Sequence, residues 1–344
     1  MSYTRYDASD IVVSSDSVTT PLWSIGTSQL STFFTSSNAS SSAFFIDVYN
    51  SPPSSSDSLV QFSIAYCNAD GSGSTPFNSN IPNMTATRVN FGQYRNIIYG
   101  DNEKDLNFGG TTTDATQSLV ITFNRERYKE SLQPGTFNLK LTSGSNTIFL
   151  TDNSKDVSTV TYLDCGRMYY VVSGSNGTSA GVPAPTNGSV GYTSAGYYGL
   201  FLPDIGTIVL NVEALNLSTA YGGIDAKFAG AAPNAVTNPL YNRALLYNII
   251  KNGANFQVSA QETLSSNYIF TRIKNSEYNY TTNPSFISGS GDLAFSNFIY
   301  NPQTFITAVG MYNDANELLA VAKLSKPLAK DFTKETLIRV KLDW

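Results

Sequence analysis

Thr304-Phe-Ile-Thr-Ala-Val-Gly-Met-Tyr312, Asn313-Asp-Ala-Asn316, Glu317-Leu-Leu-Ala-Val-Ala-Lys-Leu324 and Glu335-Thr-Leu-Ile-Arg-Val-Lys-Leu342 decide the fold class. The first block predicts a β-strand. The second predicts a turn, because Asn and Asp tolerate left-handed backbone angles and hydrogen-bond their own backbone. The third is the returning strand. Ser325-Lys-Pro327 predicts a break, and the fourth block a further strand. Side chains alternate across a strand, so Ile338, Val340 and Leu342 share one face and Leu337, Arg339 and Lys341 the other. The expectation is a half-buried antiparallel meander.

The same pattern recurs upstream. Val60, Phe62, Ile64 and Tyr66 alternate within Leu59–Tyr66. Strands are also expected over 43–49, 118–124, 147–150, 159–162, 168–172, 197–202, 207–212 and 268–274. Pro134-Gly135 predicts a tight turn before another alternating strand. A helix is expected from Asn238 as N-cap and Pro239 at the first helical position to a stop at Gly253. Its stripe of Tyr241, Leu245 and Ile249, widened by Leu246 and Ile250, is read as packing on a sheet. The expected fold is mainly β, with antiparallel, sandwich-like sheets and one or two short helices.

The chain has 344 residues, long enough for about two domains. We expect an extended N-terminal arm over 1–40, a β-rich domain over 41–172 and a flexible loop over the low-complexity run 173–189. A second β-rich domain, with the helix and the meander, covers 190–344. Residues 68–95 read as a long Gly/Ser/Pro/Asn-rich connection.

Charged residues make up 14%, against roughly 25% in an ordinary soluble domain, and Ser, Thr, Asn and Gly replace them. Such a neutral polar surface suits β structure packed against neighbours. The net charge of −5 argues against general binding to nucleic-acid phosphates. The lysines and arginine near the C-terminus read as a solvated face that discourages edge-to-edge pairing. No secretory leader or membrane span is expected. Cys67 and Cys165 are far apart, without CxxC spacing; they read as reduced, buried thiols, with a single disulfide left open.

The chain contains no histidine, which removes Ser-His-Asp and Cys-His activation and imidazole ligation. Gly177-Thr-Ser-Ala-Gly181 matches a nucleophile elbow only in letters. Asp101-Asn-Glu-Lys-Asp-Leu-Asn107 spaces oxygen ligands like a calcium loop, but Leu106 stands where Gly is needed and Thr112 where Glu is needed. A glycosidase would need two carboxyl groups about 5–9.5 Å apart, whereas most acids here sit in turns beside Asn, Gly or Lys. We therefore expect no enzyme, with no catalytic, cofactor-binding or metal-binding residues and no cofactor.

Several blocks carry a resemblance: Met1–Ser15, Arg127–Leu139, Tyr197–Leu210, Glu277–Phe286 and Tyr312–Leu328. They are spread along essentially the whole chain. Together they resemble a virion structural protein of T4-like marine myoviruses of the cyanophage type. The resemblance implies a part of the phage particle, in the contractile tail or baseplate region, present in multiple copies and assembled in the bacterial host cytoplasm. Its implied partners are other virion proteins, with no nucleic acid and no membrane. A receptor-binding or capsid decoration protein is the alternative. The blocks carry no catalytic residues. Inter-subunit contacts are expected from the two chain ends, at Ile11, Val12, Val13, Trp23, Phe33, Phe34, Leu337, Arg339 and Lys341.

Overall fold

The computed structural model describes residues 4–36, 45–72, 85–110, 115–180, 195–217, 224, 241–281 and 283–343. It is mainly β, with antiparallel sheets, as expected. The chain divides into two compact units, one spanning Val18–Glu262 and one built from Met1–Ser17 with Thr263–Trp344. These divisions differ from the sequence reading, which placed a flexible separator at 173–189. Of that run, Gly174–Ser175 and Thr178–Ser179 pair as a hairpin and Ser173 is buried; 181–189 lie outside the described residues.

The larger unit is organised on one long sheet. Its path runs Gln29–Leu30, Phe256–Gln257, Asn138–Ser143, Asn146–Asp152, Gly166–Ser175, Gly199–Leu202, Thr207–Asn211, Gln117–Phe123, Val60–Asn68, Phe45–Tyr49 and Phe34–Thr35. The central strands are covered on both faces, so they are nearly continuous apolar runs. Leu119, Ile121 and Phe123 point into one core with Phe62, Ile64 and Tyr66, while Val120 and Cys67 point into a second core on the other face.

The sheet curls. Phe256 stands near one end of the path and Phe62 near the other, yet their rings are 5.2 Å apart. Trp23 fills the closure, with ring centroids 5.3 Å from Phe256, 5.8 Å from Phe123 and 6.1 Å from Phe62. Edge-to-face packing of this kind suits the aromatic quadrupole. The Trp23 indole donates to the Ser28 carbonyl at 2.9 Å, so its one polar atom is satisfied. Gln61, fully buried, accepts from the Ser24 amide and donates to the Ser24 hydroxyl. Leu22, Trp23, Leu30 and Phe33 of the expected arm are therefore core. Trp23 and Phe33 are each 2% exposed, and neither side chain is open to another subunit.

Helix Tyr241–Gly253 lays Leu246, Ile249 and Ile250 on the first core, as its stripe predicts. Asn238 and Pro239 lie outside the described residues. Gly253 is the last helical residue, and the left-handed position falls on Ala254, at φ 50°. Glycine is needed at 253 for a different reason: a Cβ there would sit 1.9 Å from the Lys140 carbonyl oxygen on strand Asn138–Ser143.

A second long helix, Ala86–Tyr99, replaces part of the expected loop at 68–95. It buries Phe91 and Ile98 in the second core and ends on Gly100, at φ 69°. Val212–Leu215 and Asn297–Tyr300 are single turns.

The Pro134-Gly135 turn forms as predicted, with Gly135 at φ 82°. It is held by Asp152, whose fully buried carboxylate accepts from the Gly135 amide at 2.9 Å and the Ser154 amide at 3.0 Å. Burial is the larger influence and pushes the Asp152 carboxyl above its ordinary range, against these hydrogen bonds. The folded chain then holds the proton more tightly than the unfolded chain. The contribution to stability is complete below the unfolded value of about 3.9 and is lost as pH rises through the folded value. Asp152→Asn cannot ionise. In urea titrations, the variant is expected to gain on the wild type as pH rises above the unfolded carboxyl value of about 3.9. A stability difference that does not change with pH would contradict this assignment.

Candidate interface surface

The smaller unit has a small core: Ile273, Val309, Met311, Ile338 and Val340, with Tyr6 and Leu342 packed against it. Strand Thr336–Asp343 alternates as predicted, with Ile338 and Val340 buried and Leu337, Arg339 and Lys341 exposed. Its partner is not the preceding strand, however. It pairs with Ser259–Ile273, from Ser266↔Asp343 to Ile273↔Thr336. Ile11–Pro21 lies on the other side of that central strand. The meander is therefore corrected to a separate two-stranded ribbon, Thr304–Tyr312 with Leu318–Lys330. Alternation marks a strand's faces but not its partner, and here the partner comes from more than sixty residues upstream.

The ribbon's turn is the expected one. Asn316 adopts φ 60°, and the Asn313 side chain accepts from the Glu317 amide at 2.8 Å. Ser325-Lys-Pro327 does not end the strand. The register shifts from Ile306↔Leu328 to Ala308↔Lys323, so these residues form a bulge on an edge strand, where a proline's missing N–H costs little. The far end of the ribbon is fastened by Lys330. Its fully buried ammonium donates to the Asn275 carbonyl at 3.0 Å, the Asn279 side-chain oxygen at 2.9 Å and the Asp331 carbonyl at 2.9 Å.

The ribbon's two faces differ in what covers them. Val309 and Met311, with Ala320 and Ala322 opposite them, pack on the small core. The opposite face carries Tyr312, Leu318, Leu319 and Val321 in the open, with Leu319 at 68% and Val321 at 59% exposure. Gly310 sits among them because a Cβ would press on the Tyr312 ring at 3.1 Å. Lys323 and Lys326 follow along the same strand, and neither forms an ion pair among the described residues. A row of large apolar side chains on an open strand pair is the signature of a contact surface. Each such side chain gains about 1.5–3 kcal/mol on full burial.

Comparison with protein-family models, curated proteins and solved structures finds no match.

The residues expected at the interface fall into separate groups. Ile11, Val12 and Val13 are exposed on the edge strand Ile11–Pro21, and Leu337 is exposed at the opposite edge. Phe34 is half-buried, while Trp23 and Phe33 are interior. Arg339 and Lys341 both lie over the Tyr268 ring, at 5.4 and 5.9 Å, and Lys341 also pairs with Asp343 at 2.9 Å. The Ser266 hydroxyl and then Lys341 hold the Asp343 carboxyl below the usual range. These two cations are thus engaged within the chain. Leu318, Leu319 and Val321 lie in the C-terminal region expected to make contacts but are not among the residues singled out from the sequence, although the apolar run Leu318–Val321 is unbroken.

Other chemistry is sparse. Among the described residues, no group of three or more His, Cys, Asp or Glu side chains could hold a metal. In the calcium-like segment, Asp101 accepts from the Glu103 amide, Asn107 caps its own turn and Leu106 is buried. Ser179 lies on a short strand and its amide donates to Asp156. Cys67 and Cys165 are free thiols. Burial pushes Cys67 up to about 12, and Cys165 is only half-buried. Among the described residues, no helix is long and apolar enough to cross a membrane.

Proposed function

We propose that this chain is a structural component of a bacteriophage particle, of the contractile tail or baseplate, and that it works by docking rather than by catalysis. The observation that carries the docking part is the open outer face of the ribbon, with Tyr312, Leu318, Leu319 and Val321 standing clear of the chain's own core. The phage part rests on the sequence blocks that resemble virion structural proteins of T4-like marine myoviruses. The partner is a neighbouring virion protein that presents an apolar surface rimmed by carboxylates. Lys323 and Lys326 flank the apolar row without acidic partners of their own among the described residues.

Fixed multi-copy assembly suits such a surface. A hairpin alone is marginal in water, and burial of its second face would add what its small core lacks. The test is a quantitative peptide census of purified phage particles, with antibody labelling of the tail. The expected result is this chain in several copies per particle, with label at one end of the tail. Particles free of the chain would overturn the proposal.

A further inference from the structure

Tyr280 and residues 283–301 build a second surface, on the same unit but made differently. Residues 286–294 fold into a tight loop: the Ala294 amide donates to the Phe286 carbonyl at 3.0 Å and Ile287 bridges Leu293. This closure sets Phe286 against Phe298 edge-to-face at 5.0 Å and against Phe295 at 5.2 Å. Phe298 is buried and anchors the group, and Tyr280 packs on it at 6.5 Å.

Around these rings lies an open cleft of about 540 Å³, lined by Phe286, Phe295, Asn297, Phe298, Tyr300 and Asn301. That volume is within the range of small-ligand sites. Tyr300 is 88% exposed, an extreme value for an aromatic side chain, and no ring of another described residue packs on it. Asn297 begins the single helical turn and Asn301 caps its end, and both line the cleft. Neither amide side chain is engaged in a hydrogen bond among the described residues.

We infer that this cleft binds a short neutral oligosaccharide. The lining carries no charged group that would hold an ionic ligand. A lipid chain would leave two amides unmet. A pyranose ring offers what the cleft lacks. Its C–H face can lie on the free ring of Tyr300 or Phe295, and vicinal hydroxyls match an amide, which donates and accepts from one plane. The inference rests on the cleft alone and stands whether or not the chain belongs to a particle.

The test uses the full chain with maltohexaose, cellohexaose and β-1,4-mannohexaose as probes, read by saturation-transfer NMR and calorimetry. At least one probe is expected to bind with a dissociation constant of about 1 mM or tighter. Tyr300→Ala and, separately, Asn297→Ala should each weaken it by at least about tenfold. Tyr162→Ala, at an exposed tyrosine of the other unit, should leave it unchanged. Both affected positions are exposed, so folding is expected to survive, and a matching circular dichroism spectrum checks it. No binding by any probe at about 10 mM, or binding indifferent to both substitutions, would overturn the inference.

Discussion

Replacing Leu319 and Val321 together by aspartate is expected to leave the melting temperature unchanged and to remove the protein from assembled particles. Both side chains are exposed and outside the small core, so the folded chain loses little; surface changes of this kind usually fall within about 0.5 kcal/mol. The docked state loses much more. Two large apolar side chains contribute about 1.5–3 kcal/mol each on burial, and a carboxylate buried in their place would add a desolvation cost. At about 1.4 kcal/mol per tenfold, the affinity should fall by a factor on the order of 100 to 10,000. Complementation of a phage lacking the gene, followed by a count of the chain per particle, measures the effect. A conservative Leu319→Met variant should incorporate normally. Full incorporation of the double-aspartate variant, with an unaltered melt, would place the contact elsewhere. Removing the whole of residues 2–35 is a poorer experiment, because Leu22, Trp23, Leu30 and Phe33 belong to the core.

Trp23→Ala is expected to be the most damaging single change in the larger unit. The side chain is 2% exposed and touches Phe62, Phe123 and Phe256, which come from opposite ends of the sheet path. Truncating a buried tryptophan costs about 3–5 kcal/mol, through lost transfer energy and the cavity left behind. Against a total of about 5–15 kcal/mol for a typical domain, that is enough to shift the urea midpoint severely or to prevent folding. Far-UV circular dichroism in urea measures it. A near-wild-type midpoint would mean that Trp23 faces outward after all, as the arm reading of the sequence has it.

The difference over Trp23 shows which parts of this fold a sequence exposes. Period and turn chemistry are local, and they are legible: the alternation through Leu337–Leu342, the Asn313–Asn316 turn and the Pro134-Gly135 turn all fold as their residues suggest. Partnership is not local. Nothing within Thr336–Asp343 indicates that its neighbour is Ser259–Ile273. Scattered apolar residues in a polar run look like an arm until the sheet curls and encloses them. Helix Ala86–Tyr99 was obscured by its own composition, since Asn90, Gly92 and Asn96 dilute the stripe of Phe91, Tyr94 and Ile98. The candidate surface was half legible. At the C-terminal end, the cations Arg339 and Lys341 are engaged with Tyr268 and Asp343, and the apolar run Leu318–Val321 is what lies open.

The smaller unit draws on both Met1–Ser17 and Thr263–Trp344, with Tyr6 packed against its small core. A nascent chain leaves the ribosome over tens of seconds at roughly 5–20 residues per second. Met1–Ser17 and then Val18–Glu262 emerge before Thr263–Trp344, so the seat beneath the ribbon is completed last. The outer face of the ribbon is therefore properly seated only after Thr336–Asp343 has been translated. On the proposed docking role, a copy cut short before Thr336–Asp343 would lack part of that seat and would dock poorly.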